Sequence, residues 1–248
     1  MEQMPSNDPV MGSKPGVAGW FQVWKTAVTK PNEQTFIDLT EDPAATPKTA
    51  YLWVFIAGTV SAIFQAILQT IYTATGTMPQ IPIPGLEEYM PQAVGDPGTA
   101  GVTLLVTLCL SPIAGAVYVL FFALGVAIVQ WIAKLFGGVG TYDKLLYAIA
   151  AISVPFTILA ATLTLLGAIP YVGFCFGIIS FAAGIYALVL QVTAVKGVNR
   201  FGWGPAIGSV IIPGLVIFTL CCCLMIGLVS LLGPVVSSTF QELQQFAP

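Results

Sequence analysis

Four long stretches of this chain contain no charged residue, and this feature limits its possible folds more than any other. The stretches run between Lys48 and Glu87, Asp96 and Lys134, Lys144 and Lys196, and Arg200 and Glu242. A membrane span takes about 20 apolar residues, so every stretch is long enough to cross a bilayer. Only 8% of the 248 residues are charged, against about 25% in an average soluble domain. Such a surface is typical of a protein surrounded by lipid.

The third stretch is long enough for two spans. Its 51 residues would form a helix of about 77 Å at 1.5 Å per residue, which is more than twice the hydrocarbon thickness of a bilayer. Glycines and a proline at 167–173 mark a turn, and we therefore expect spans at 145–166 and 170–195. The first and fourth stretches each predict one span, at 51–75 and 205–232.

The second stretch allows two interpretations. Residues 101–135 are many for one span, and Pro112 lies among them at a position where proline kinks or ends a helix. We expect one long, kinked helix, and the alternative is a re-entrant hairpin of two half-spans. The single helix gives five spans in total.

The basic residues predict how these spans are oriented. With five spans, all eight fall on one side of the membrane, and loops rich in lysine and arginine stay in the cytoplasm. We therefore expect a multi-pass protein of the plasma membrane with its N-terminus in the cytoplasm and its C-terminus outside. A re-entrant hairpin would spoil this asymmetry. The eight residues are Lys14, Lys25, Lys30, Lys48, Lys134, Lys144, Lys196 and Arg200.

An amphipathic helix is predicted ahead of the first span. Its apolar residues recur at helical spacing and form one stripe, made of Val17, Trp20, Phe21, Trp24 and Val28. Two tryptophans on such a stripe favour docking at the membrane interface, and the alternative is packing on the protein's own cytoplasmic face. We expect a disordered tail at 1–16, this helix and a linker at 17–48, and a second tail at 236–248.

The residue types offer no catalytic or metal site. The chain contains no histidine, the commonest general base and metal ligand. Its carboxylates lie outside the spans, and its five cysteines lie inside them, where ionising a thiol is costly. A net charge of −3 without a basic cluster argues against nucleic-acid binding. We expect a protein that is not an enzyme and that uses no cofactor, no metal and no nucleic-acid partner.

Four amide side chains lie in the spans or at their ends, at Gln65, Gln69, Gln130 and Gln191. Such amides bond between helices or line a polar path, and we favour bonding between helices. The glycine-rich segment 137–141 lacks the Lys-Ser/Thr of a phosphate-binding loop, which predicts a tight turn instead.

Several local motifs follow one another along the chain. They are the tryptophan-bearing helix and KPNEQTF at 30–36, FGGVGTY at 136–142, SVP at 153–155, IPYVG at 169–173 and VTAVKGV at 192–198. Together they resemble the Yip (Ypt-interacting protein) domain family of five-span membrane proteins, in its prokaryotic form, over residues 20–235.

The resemblance implies five helices and a cytoplasmic N-terminus. Eukaryotic members are associated with recruitment of small GTPases and with vesicle trafficking. Prokaryotic hosts lack that trafficking system, so GTPase binding is not carried over to this chain. The family offers no catalytic residues to transfer.

We therefore expect an all-α, polytopic membrane helical bundle, with an N-terminal amphipathic helix and a five-span domain at 49–235. The expected function is non-enzymatic organisation of the lipid bilayer or of membrane-protein partners, including copies of itself. A permease for a small neutral solute and an accessory subunit of a larger membrane complex are the alternatives. The candidate contacts with partners or lipid are Trp20, Phe21, Trp24, Lys25, Gly138, Thr141, Lys196 and Arg200.

Overall fold

A computed structural model of the chain describes residues 16–75, 97–169, 173–216, 218–219, 222–224 and 227, and this part contains helices and no strand. The helices are α1 (Val17–Thr29), α2 (Glu33–Glu41), α3 (Pro47–Thr75), α4 (Pro97–Leu135), α5 (Tyr142–Leu166), α6 (Gly173–Asn199) and the shorter α7 (Trp203–Val216). Helices α3 to α6 are each long and apolar enough to cross a membrane. This architecture confirms the expected all-α membrane bundle.

Several predictions fall outside the described residues. They concern the first fifteen residues of the N-terminal tail, the loop that carries Glu87, Glu88 and Asp96, and the turn positions 170–172. Most of the predicted fifth span beyond Val216 and the tail at 236–248 also lie outside them.

Helix α4 runs through Pro112 without a break, as the single-helix interpretation expected. A proline has no N–H to offer, so the carbonyl of Leu108, four residues earlier, loses its usual backbone donor. The hydroxyl of Ser111 donates to that carbonyl over 2.8 Å. Replacement of a lost backbone bond by a serine side chain is how helices in lipid tolerate proline.

Helix α3 packs most closely against α4. A Cβ atom placed on Gly58 would lie 2.7 Å from the ring of Tyr118, and one placed on Gly115 would collide with the hydroxyl of Thr59. Only glycine at these two positions permits such a close approach of the two helices, as small residues do in membrane bundles.

Helices α1 and α2, together called the collar, cover one end of the bundle. Helix α1 packs on α5, and α2 packs on both α5 and α6. Residues 145–152 of α5 are consequently all buried, as is most of α6 from Leu190 to Asn199. Beyond the collar, α6 exposes large apolar side chains such as Phe174 and Phe181. The collar thus covers apolar segments of α5 and α6 that would otherwise be exposed.

Candidate functional site

Every charged residue that the structure describes lies at the collar end of the bundle. Seven are basic and five are acidic, and they occupy the collar, the linker after it, or the ends of α3 to α6 that meet it. They are Lys25, Lys30, Glu33, Asp38, Glu41, Asp42, Lys48, Lys134, Asp143, Lys144, Lys196 and Arg200. This end is therefore the one suited to an aqueous or headgroup environment, and it is the candidate functional site.

An aromatic cluster attaches α1 to the bundle. The rings of Trp20 and Trp24 meet the ring of Trp53 on α3 edge to face, at centroid distances of 6.1 and 5.6 Å. Trp53 is 1% exposed and also contacts Tyr147 of α5, at 5.0 Å. Edge-to-face aromatic pairs add about 0.5–1.5 kcal/mol each beyond the area that they bury.

This cluster divides the apolar stripe of α1 into two parts. Trp20 and Trp24 face inward, which agrees with the alternative of packing on the protein's own surface and not with insertion of these rings into lipid. Val17 and Phe21 are 71% and 64% exposed, and Lys25 is exposed beside them. The face that α1 offers to a partner or to lipid therefore includes Val17, Phe21 and Lys25.

The last turn of α1 is fixed to the flank of the bundle. The hydroxyl of Tyr186 on α6 donates to the carbonyl of Val28 over 2.7 Å. Tyr186 precedes the end of α6 at Asn199 by thirteen residues, or about 20 Å at 1.5 Å per residue. This bond therefore ties the last turn of α1 to the middle of α6.

Helix α2 is held by ion pairs at both of its ends. Glu33 meets Lys196 of α6 at 2.5 Å, with the lysine side chain only 18% exposed, and this lysine also lies 4.6 Å from the ring centre of Trp203. At the other end, one carboxylate oxygen of Glu41 lies 3.2 Å from Arg200 and 3.8 Å from Lys144. Two acids of α2 therefore connect the collar to α5 and α6.

The glycine-rich segment 137–141 is the turn between α4 and α5. Gly137 has φ 84°, in the left-handed region that favours glycine, and the N–H of Gly138 donates to the carbonyl of Ala133 over 2.9 Å. These features form a common helix C-terminal motif. Thr141 then caps α5, its hydroxyl accepting from the N–H of Lys144. The segment acts as a turn, as the sequence predicted.

Two buried amides join this turn to the end of α6. The side-chain N–H₂ of Gln130 donates to the carbonyl of Gly140 over 2.7 Å and to Oδ1 of Asn199 over 3.1 Å. The amide of Asn199 returns a bond to Gln130 over 3.3 Å and also donates to the carbonyl of Val195 over 3.1 Å. Asn199 was absent from the sequence predictions, although an asparagine at the end of an apolar span is a visible signal.

The positions of the glutamine side chains in the spans also bear on the alternative that the protein is a permease for a small neutral solute. Gln130 is 5% exposed and bonded between helices, as favoured for amides in the spans. Gln65 and Gln69 instead face away from the bundle on α3. The three amides therefore do not line one polar path through the described helices.

The eight candidate contact residues differ widely in accessibility. Phe21, Lys25, Thr141 and Arg200 are exposed, Trp20, Trp24 and Lys196 are half-buried, and Gly138 is buried. A Cβ on Gly138 would lie 2.6 Å from Oδ1 of Asn199, which shows how closely the turn is seated. In the described part of the chain, no group of three or more histidine, cysteine, aspartate or glutamate side chains could hold a metal ion.

Comparison with known proteins gives one match. Residues 25–233 match the model of the Yip1 domain family, which covers most of the chain and all the helices from α2 to α7. No curated protein and no solved structure matches the chain.

Proposed function

Because the chain belongs to the Yip1 domain family, we propose that it is an integral membrane protein that organises membrane-protein partners at its collar end without catalysing a reaction. Its membrane character follows from the family and from four apolar helices of spanning length. The role as an organiser rests on one observation. The tryptophans of helix α1 pack against the bundle and hold the helix in place. Phe21 and Lys25, on the outer face of the same helix, remain exposed.

This arrangement suits recognition better than chemistry. An exposed aromatic ring beside a lysine offers apolar contact and charge attraction together, and aromatic residues are enriched in protein interfaces. The ion-paired residues Glu33, Glu41 and Lys196 are committed to holding the collar. We assign them, with Gly138 and Thr141, to support of the surface. Arg200 pairs with Glu41 but keeps 62% of its side chain exposed, and we assign it, with Val17, Phe21 and Lys25, to contact with partners or lipid headgroups.

Crosslinking in native membranes tests this proposal. A short photo-reactive crosslinker should recover a reproducible partner protein with the full-length chain, and Phe21→Ser or Lys25→Glu should reduce that recovery at least fivefold. Phe174→Ser is the matched control, since Phe174 is 79% exposed but lies at the far end of α6. Undiminished recovery with Phe21→Ser and Lys25→Glu would contradict the proposal.

We further propose that the collar end faces the cytoplasm of a cell whose plasma membrane holds the protein. The clustering of all described basic residues at that end supports this orientation through the positive-inside tendency. The test is labelling of a single cysteine at position 25, in a variant whose native cysteines are replaced by serine. A membrane-impermeant maleimide should label it in inverted vesicles and leave it unlabelled in intact cells. Labelling in intact cells would mean the opposite orientation.

A further inference from the structure

Two adjoining clefts lie in the bundle beyond the aromatic cluster, and Ser153 of α5 and Gln191 of α6 line both. The first, of about 250 Å³, is bounded by α4, α5, α6 and α7. The second, of about 280 Å³, continues along α5 and α6 as far as Leu163 and Ser180. From Ser180 to Gln191 the second cleft follows α6 for about 16 Å at 1.5 Å per residue.

Small residues leave this space open. Helices α4 and α6 line the clefts from two sides but do not form a closely packed pair. Gly125 lines the first cleft and Gly184 the second, and a Cβ placed on either would meet no atom within 4 Å. Ala160, Ala183 and Ala187 widen the second cleft further. Gly184 and Ala160 are exposed, so among the described helices this cleft opens on the outer surface of the bundle.

The polar groups shared by the clefts are free to bind. Within the described residues, neither the amide of Gln191 nor the hydroxyl of Ser153 has a hydrogen-bond partner. The neighbouring hydroxyls of Tyr118 and Thr157, in contrast, bond to each other at 3.0 Å. An unpaired amide in an apolar environment is costly, and polar side chains inside membrane bundles tend to face a cavity or a partner.

The charge of the lining restricts what could bind. The side chains around both clefts carry no charge, and most are apolar or aromatic. A charged headgroup would lose its hydration there without meeting a counter-ion, which is strongly unfavourable. A solute that is polar throughout would make no favourable contact with the apolar walls of the clefts.

We propose that the clefts bind an uncharged, single-chain amphiphile taken from the bilayer. Its hydroxyl, ester or amide groups bond to Gln191 and Ser153, and its hydrocarbon chain lies in the second cleft along Ala187, Gly184 and Ser180. The second cleft is lined mainly by apolar residues and meets the first at Ser153 and Gln191, which matches one hydrocarbon chain attached to a small uncharged headgroup. This site is separate from the collar surface, so its existence does not depend on the proposed function.

Photolabelling of the full-length protein in phosphatidylcholine vesicles tests the proposal. The probe is a monoacylglycerol with a photoreactive group in its acyl chain, and the labelled peptides are identified by mass spectrometry. We expect saturable labelling of the α5 and α6 residues that line the clefts. A probe with the same chain and a sulfonate headgroup should label them at least fivefold less.

Two kinds of variant make the test specific. Gln191→Leu removes the amide, and Gly184→Leu fills the second cleft, so each should reduce labelling at least fivefold. Gly177→Leu is the matched control on the same helix, because its added side chain also meets open space but does not line a cleft. If Gln191→Leu does not fold, Gly184→Leu decides the outcome. Equal labelling of Gly184→Leu and the original protein, or equal labelling by the sulfonate probe, would overturn the proposal.

Discussion

Gln130 on α4 and Asn199 at the end of α6 exchange hydrogen bonds in both directions, at 3.1 and 3.3 Å, although 69 positions separate them in the chain. Asn199 is 1% exposed, and its backbone carbonyl also accepts from the N–H of Val139 over 3.2 Å. One residue pair thus joins α4, the turn after it and α6. It fixes the collar ends of the helices against one another.

Loss of either amide should destabilise the protein. Asn199→Leu leaves part of the buried Gln130 amide without a partner, which costs about 1–3 kcal/mol. The free energy of unfolding in detergent should fall by this amount for Asn199→Leu and for Gln130→Leu. Gln69→Leu is the control, because Gln69 is exposed and should change little.

The double variant distinguishes the hydrogen bonds between the two amides from the packing of each side chain against its other neighbours. If the two amides act through each other, Gln130→Leu with Asn199→Leu should cost clearly less than the sum of the single losses, since coupled residues are not additive. Strictly additive losses would show that the pair contributes no interaction energy.

Trp24→Ala should release α1 from the bundle. The substitution removes the edge-to-face contact with Trp53 and leaves a gap under the helix. Trypsin should then cleave at Lys25 at least fivefold faster in vesicles that expose the collar end. Phe21→Ser, on the outward face, should leave the cleavage rate unchanged.

Trp24→Phe distinguishes the ring from its N–H group. The Nε1 atom of Trp24 is buried with no hydrogen-bond partner in the described part of the chain. Phenylalanine keeps an aromatic ring without that donor, so the variant should resist trypsin like the original protein. Rapid cleavage of Trp24→Phe would mean that the indole N–H has a partner that matters for docking.

Much of the fold is predictable from the sequence because lipid imposes simple rules. Charge-free length predicted apolar helices of spanning length, and the 3.6-residue periodicity predicted α1. Glycines at 137–140 predicted the turn before α5. These signals are local, and the physical cost of charge or irregular backbone in lipid makes them reliable.

The site was less predictable because it depends on contacts between distant segments. Periodicity placed Trp20 and Phe21 on one stripe, but only the position of Trp53 on α3 decides that the first packs inward and the second stays exposed. Similarly, the stretch at 145–152 is apolar enough for lipid and is buried by the collar instead. Hydrophobicity alone does not distinguish these two environments.

The ion pairs at the two ends of α2 should differ in their contribution to stability. The Glu33–Lys196 pair is partly buried, so Glu33→Lys places two like charges together and should markedly lower the free energy of unfolding. Adding Lys196→Glu should restore part of the loss, although it removes the contact with Trp203. The exposed Arg200–Glu41 pair should contribute less than about 1 kcal/mol, as measured with Arg200→Ala.

Salt gives a second readout of the same difference. Screening weakens exposed pairs more than buried ones, so the effect of Arg200→Ala should vanish at high ionic strength while that of Glu33→Lys persists. Equal losses for both variants at all salt concentrations would contradict the assigned burial of the Glu33 pair.

The most direct test of the central claim is photo-crosslinking from position 21 in living cells. A benzoyl-phenylalanine at this position should form discrete protein adducts, because we propose that the outward face of α1 contacts a partner. The same residue at position 174, which is even more exposed but lies at the far end of α6, should give none of these adducts. Absence of protein adducts from position 21, or identical adducts from both positions, would contradict the account.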